Sequence, residues 1–138
     1  MTHAEYRVWH DGEFVRVEHA TGFCITPELL AAVWRDLAAM CRRMSCSAVL
    51  VEGDALRRDL RPLDSLDSAA EASRNIPGLI LAICLDQYVT DPQTELFITA
   101  SARRGATVQF FSRRAEALAW LRQQVALRVT TNQASACG

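Results

Sequence analysis

The side chains able to do chemistry are few and scattered along the 138 residues. There are five cysteines, at Cys24, Cys41, Cys46, Cys84 and Cys137, with no Cys-x-x-Cys pair. The three histidines, His3, His10 and His19, lie far in sequence from Cys41 and Cys46. Neither a metal site nor a disulfide framework is expected from that pattern, and the odd cysteine count with apolar neighbours points to reduced thiols acting as small hydrophobes. Cys84 has Asp86 close by, a pairing in which a nucleophile can be sought, but it belongs to the apolar run Leu79–Leu85, where a thiolate is disfavoured. His19 falls in a strand-like segment with no evident partner. No Gly-x-Ser-x-Gly, phosphate loop or dinucleotide fingerprint occurs. The chain is therefore expected not to be an enzyme, with no catalytic residue, cofactor or metal ligand.

The remaining candidate is a cluster of arginines. Arg57, Arg58 and Arg61 precede Asp64 and Ser65, just ahead of a helix start, where backbone N–H groups and the helix dipole favour anions. Arginine suits a carboxylate or phosphate because its planar fork donates two parallel hydrogen bonds. These five residues are the candidate partner- or anion-binding site. The plainer reading is a solvated loop in which Asp54, Asp59 and Asp64 neutralise the arginines.

Composition narrows the setting. Fifteen basic and sixteen acidic residues leave a formal charge of −1, which offers no overall attraction for nucleic acid or an anionic membrane. Every basic residue is arginine, a bias expected of a GC-rich, bacterial genome. Half of the chain is apolar, enough for one sizeable core and one domain. The polar start, Met-Thr-His-Ala-Glu, and the shortness of the longest apolar run predict a cytoplasmic protein without stable membrane insertion.

The elements that must position these residues follow from patterning. Tyr6–His10 alternates as a strand, Asp11-Gly12 suits a tight turn, and Glu13–Thr21 reads as the returning strand. Thr26-Pro27-Glu28 starts a helix whose Leu30, Val33, Leu37 and Cys41 recur on one face. Ala48–Val51 reads as a buried strand. The next helix is expected to begin near Asp64 or Asp67, with Ser68 and Glu71 spaced as a capping box, and to stop at Pro77-Gly78. Leu79–Leu85 has the continuous apolar character of a central strand covered on both faces. A helix from Asp91-Pro92 to Gly105, a strand over Ala106–Phe111 and a helix capped by Ser112 complete the order. The fold class is therefore α/β: an N-terminal hairpin, then alternating helices and mostly parallel strands, with about five strands and four helices. One domain is expected over 1–128, with a C-terminal tail over 129–138.

The C-terminal third carries a resemblance. Glu95, Ala102-Arg103-Arg104-Gly105, Val108–Phe111 and Glu116-Ala117-Leu118-Ala119-Trp120-Leu121 resemble the ending of SpoIIAA-like proteins, a single-domain bacterial branch of the STAS fold sometimes grouped with CRAL-TRIO-like lipid-binding proteins. The resemblance implies a non-catalytic, regulatory protein-interaction module, or alternatively a small binding protein for an apolar or amphiphilic, lipid-like ligand. A protein partner or an apolar small ligand is thus expected, without nucleic acid, and a homodimer is compatible with either. In the STAS fold a phosphorylated serine stands within an Asp-Ser-Ser-Gly type motif. The corresponding stretch here, Asp54–Ser68, lacks it: Ser65 and Ser68 are nearby but do not match, so the switch does not carry over.

Overall fold

A computed structural model describes residues 5–54, 57, 58 and 60–137, with side chains as far as Val129 apart from those of Arg57 and Arg58. The chain folds back on itself at once. Strands β1 (Tyr6–His10) and β2 (Val15–His19) pair antiparallel through the turn at Asp11 and Gly12. Asp11 holds that turn by accepting the N–H groups of Glu13 and Phe14 at 2.9 and 2.8 Å. Gly12 supplies the positive φ, +98°, that a side chain would resist.

From β2 onward the chain alternates. Helix α1 (Pro27–Met44) leads to β4 (Ala48–Gly53), α2 (Pro62–Asn75) to β6 (Ile80–Leu85), and α3 (Pro92–Arg103) to β7 (Thr107–Phe111). Strands β2, β4, β6 and β7 are mutually parallel, and the sheet order is β1-β2-β4-β6-β7. Two short strands lie outside that sheet: β3 (Cys24–Ile25) pairs with β5 (Arg57–Arg58). The α/β class, the opening hairpin, the mostly parallel sheet and the four helices agree with the sequence reading.

The strand order advances in one direction, so right-handed crossovers put α1, α2 and α3 on a single face of the sheet. That face buries Val8, Val17, Val49, Val51 and Leu81 against Val33, Leu37 and Cys41 of α1. Tyr6 ties the edge strand to α1 by donating its hydroxyl to Asp36 at 2.6 Å. The opposite face is covered by α4 (Arg114–Cys137), whose Ala117 and Leu121 pack on Leu50, Ile80 and Ala82.

Each crossover helix starts on a specific cap. Thr26 Oγ1 accepts the Leu29 N–H at 3.2 Å, and Asp91 Oδ1 accepts that of Thr94 at 2.9 Å. Helix α2 starts earlier than its Ser68–Glu71 spacing indicates. Pro62 takes the first helical position and Asp64 reaches back to the Arg61 N–H at 2.8 Å, which leaves Ser68 buried in mid-helix. Helix α4 begins beyond Ser112 and continues through Cys137, across the segment expected to form a tail. No proline or glycine interrupts it. Its 24 residues span about 36 Å, against about 20 Å for the longest strands, so it overhangs the sheet.

Leu37 is completely buried at the centre of the three-helix face. Leu37→Ala is expected to lower the unfolding free energy by about 2–5 kcal/mol, with the secondary structure retained, as measured by urea titration followed by circular dichroism.

Candidate functional site

At the carboxyl ends of the strands the three-helix face does not close. Helix α1 packs over β1 and β2, while α2 and α3 lean on each other further along the sheet. Between them lies a cavity of about 200 Å3. Its floor is Val51, Leu81, Ile83 and Phe110, and its helical walls include Val33, Trp34, Leu37 and Phe97. Trp34 and Phe97 stack with ring centroids 6.4 Å apart, so the aromatic wall spans α1 and α3. Leu60 and Val89 come from the connections after β4 and β6, and Val89 is 78% exposed.

Polar groups enter this wall at few points. Ser65 and Ser68 lie one turn apart on the inner side of α2, and both are buried. Ser68 Oγ accepts the Trp34 indole N–H at 2.6 Å, which satisfies the one donor that burial of the tryptophan would otherwise leave open. Tyr88 and Thr94 bond each other through their hydroxyls at 2.9 Å, and the Tyr88 ring stacks on Phe110 at 5.1 Å. Gln93 donates to the Leu60 carbonyl at 3.1 Å and fixes one connection against α3.

His19 completes the wall at the end of β2. The strand's alternation puts it on the same face as Val15 and Val17, where its ring lies 4.2 Å from that of Phe23. It is 9% exposed, and its Nδ1 has no hydrogen-bond partner. Burial pushes the imidazole down to a pKa of about 4, so it is neutral near pH 7.

The five residues singled out in the sequence are divided by the fold. Ser65 faces the cavity. Arg61 and Asp64 are used at the start of α2, where they also form an ion pair at 3.5 Å and the Arg61 side chain is 78% exposed. The Arg61 N–H, bonded to Asp64, holds that carboxyl below its usual range. Arg57 and Arg58 are placed in β5 beside β3, and their side chains lie outside the described residues, as does Asp59. Sequence reasoning missed His19, Trp34, Ser68 and the Tyr88–Thr94 pair as a group. The alternation of β2 was the available signal for His19. Nothing in the helical stripes distinguishes a residue lining a cavity from one filling the core.

The other face carries a charged cluster. Glu52, buried on β4, is gripped by Arg16 through one carboxylate oxygen and by Arg114 through the other, with Arg114 Nε at 2.6 Å. Arg16 also approaches Asp11 at 3.6 Å and lies over the Trp9 ring at 5.2 Å. Cys84, next to Glu52 across the ladder, has its thiol pKa raised by burial, which opposes a nucleophilic role. A groove of about 640 Å3 at the opposite end of the strands runs between the hairpin and α4. Its charges are already engaged: Arg122 pairs with Glu13 at 2.9 Å, and Arg128 donates to the Gly78 carbonyl. Among the described residues no group of three or more metal-ligating side chains forms, and no helix is long and apolar enough to cross a membrane. The described cysteines Cys24, Cys41, Cys46 and Cys84 are free thiols.

Comparison with family models, with curated proteins and with solved structures finds no match to this chain.

The buried imidazole gives a pH signature. The folded pKa of about 4 lies below the unfolded value near 6.5. Between those limits the unfolded chain takes up a proton that the folded chain refuses, so stability falls as pH drops from 6.5 to 4, by up to about 3 kcal/mol. His19→Gln is expected to flatten the dependence of unfolding free energy on pH across this window relative to the parent protein, measured by denaturant titrations at half-unit pH steps.

Proposed function

We propose that this protein is a small, non-catalytic binding protein that holds an apolar or amphiphilic molecule between its sheet and the three crossover helices. The observation that carries the reading is the cavity: an apolar floor on three parallel strands, roofed by aromatic and aliphatic side chains, with a few hydroxyls placed on one wall. Ligand sites are commonly concave and mostly apolar, with a small number of polar groups to fix orientation. The side chains support binding and not turnover, since the hydroxyls lack a paired base and the thiol of Cys84 lies on the opposite face.

The test is titration with naphthalene, a hydrocarbon without a head group, followed through the methyl resonances of Val33, Leu81 and Ile83. Saturable shifts are expected at these residues and not at Leu50 or Leu121, which lie on the α4 face. Ile83→Trp, which puts an indole where a partly buried isoleucine lines the floor, is expected to abolish them while the circular dichroism spectrum is retained. Absence of saturable shifts, or equal shifts in Ile83→Trp, would rule the reading out.

A second reading, the regulatory interaction module of the STAS type, has one observation in its favour. Leu63 and Leu66 stand 57% and 39% exposed at the start of α2, beside the exposed Arg61. Under this reading the outer side of α2 meets a protein partner. The double change Leu63→Glu and Leu66→Glu would then remove partner binding and leave the naphthalene titration unchanged.

A further inference from the structure

A buried imidazole stands at one end of the cavity floor. Val17 pairs with Val51, Val51 with Ile83 and Ile83 with Phe110, so these four form one row on one face of the sheet. His19 stands two residues beyond Val17 on that face, at the carboxyl end of β2. The ladder pairs Glu18 with Glu52, so the β4 position beside His19 is Gly53, which brings no side chain to fill the space next to the imidazole. The ring is held in place by two others: Phe23 lies 4.2 Å from it and Tyr6 meets it edge-on at 6.4 Å, between ring centroids. Neither serves a ring nitrogen, because phenylalanine has no polar atom to offer and Tyr6 donates its hydroxyl to Asp36. Among the described residues the imidazole makes no hydrogen bond, and His19 is only 9% exposed. Elsewhere on the wall the Trp34 N–H goes to Ser68, Tyr88 and Thr94 bond each other, and Gln93 holds the Leu60 carbonyl. A buried ring nitrogen without a partner is disfavoured unless a ligand or water supplies one.

We infer that the cavity takes a phenol-class ligand, a planar aromatic molecule whose ring lies over Val51 and Ile83 and whose hydroxyl is hydrogen-bonded to the His19 imidazole. This rests on the ligand-binding reading above and adds to it the class of ligand and the residue that orients it. The hydroxyl follows from the imidazole. Burial keeps His19 neutral near pH 7, and a neutral ring has one nitrogen that donates and one that accepts; a hydroxyl can serve either. The aromatic ring follows from the walls. Trp34, Phe97, Tyr88 and Phe110 all line the space, and their faces and edges favour offset or edge-to-face contact with another ring. Size agrees: an apolar cavity of about 150 Å3 holds benzene, so about 200 Å3 admits one ring or two fused rings.

The experiment is titration of the full chain at pH 7.5 with naphthalene, 2-naphthol and decahydro-2-naphthol, followed through the methyl resonances of Val33, Leu81 and Ile83. A hydroxyl costs more to desolvate than a hydrocarbon edge, so without a partner 2-naphthol would bind more weakly than naphthalene. It is expected instead to bind about three- to ten-fold more tightly, the range for one neutral hydrogen bond, and more tightly than its saturated analogue. His19→Phe keeps a ring between Phe23 and Tyr6 and removes both nitrogens. In that variant 2-naphthol is expected to lose its preference while naphthalene binds as it does to the parent. In the parent itself, a ring-nitrogen resonance of His19 is expected to move further with 2-naphthol than with naphthalene, a readout that needs no variant. If naphthalene binds but 2-naphthol binds no more tightly, keeps its preference in His19→Phe, or leaves the His19 nitrogens where naphthalene leaves them, the cavity reading stands and the phenol inference falls. Equal or tighter binding of decahydro-2-naphthol would also overturn the inference. If none of the three binds, both fall.

Discussion

Parallel strands cannot be joined by a tight turn; each must be reached by a chain that crosses the sheet. Three such crossings, from β2 to β4, from β4 to β6 and from β6 to β7, all step the same way along the sheet. Handedness then leaves no choice of side, and α1, α2 and α3 crowd onto one face. The other face receives the last helix alone. The location of the cavity and the position of exposed Arg7 and half-buried Trp9 on the lightly covered side follow from this one constraint.

The same constraint alters where a ligand site is to be sought. In doubly wound sheets the strand order reverses, and a crevice opens outside the carboxyl ends at the point of reversal. No parallel strand of this sheet has its crossovers on opposite faces, so there is no such crevice, and Leu60 after β4 and Tyr88 and Val89 after β6 stand at the rim of an internal space. The carboxyl-end rule still picks the end of the sheet at which the cavity lies. The space opens beneath the helices, where the wide residues Trp34, Phe97 and Phe110 bridge from one element to the next without filling the volume between them.

The legibility of these features in the sequence divides along physical lines. The run Leu79–Leu85 was readable as a central strand because burial on both faces removes alternation, and β6 indeed lies between β4 and β7. The Thr26 and Asp91 caps were readable because a short polar side chain followed by proline has few other uses. The start of α2, at Pro62, lies ahead of the expected Asp64 or Asp67 because a Ser-x-x-Glu spacing has the same appearance inside a helix as at its end; here the reciprocal cap belongs to Asp64, and Ser68 serves Trp34. The β3–β5 pair is too short to leave a periodic signal. Arginine density drew attention to the connection before α2. Among the described residues of that candidate site, the one that lines the cavity is Ser65, and its place there depends on which side of α2 faces inward.

The alternation of side chains across the sheet divides the interior into two compartments that share a backbone and, among the described residues, only Cys46 as a common neighbour. On one side Val51, Leu81 and Ile83 shape the cavity; on the other, Leu50, Ile80 and Ala82 grip α4. Substitutions in separate compartments have few partners in common, and their energetic effects approach additivity. An evolving lineage can therefore redraw the lining of the cavity while the α4 layer holds the strands in register. Odd and even positions along a single strand then experience different selection: one set answers to the shape of the cavity, the other to the scaffold.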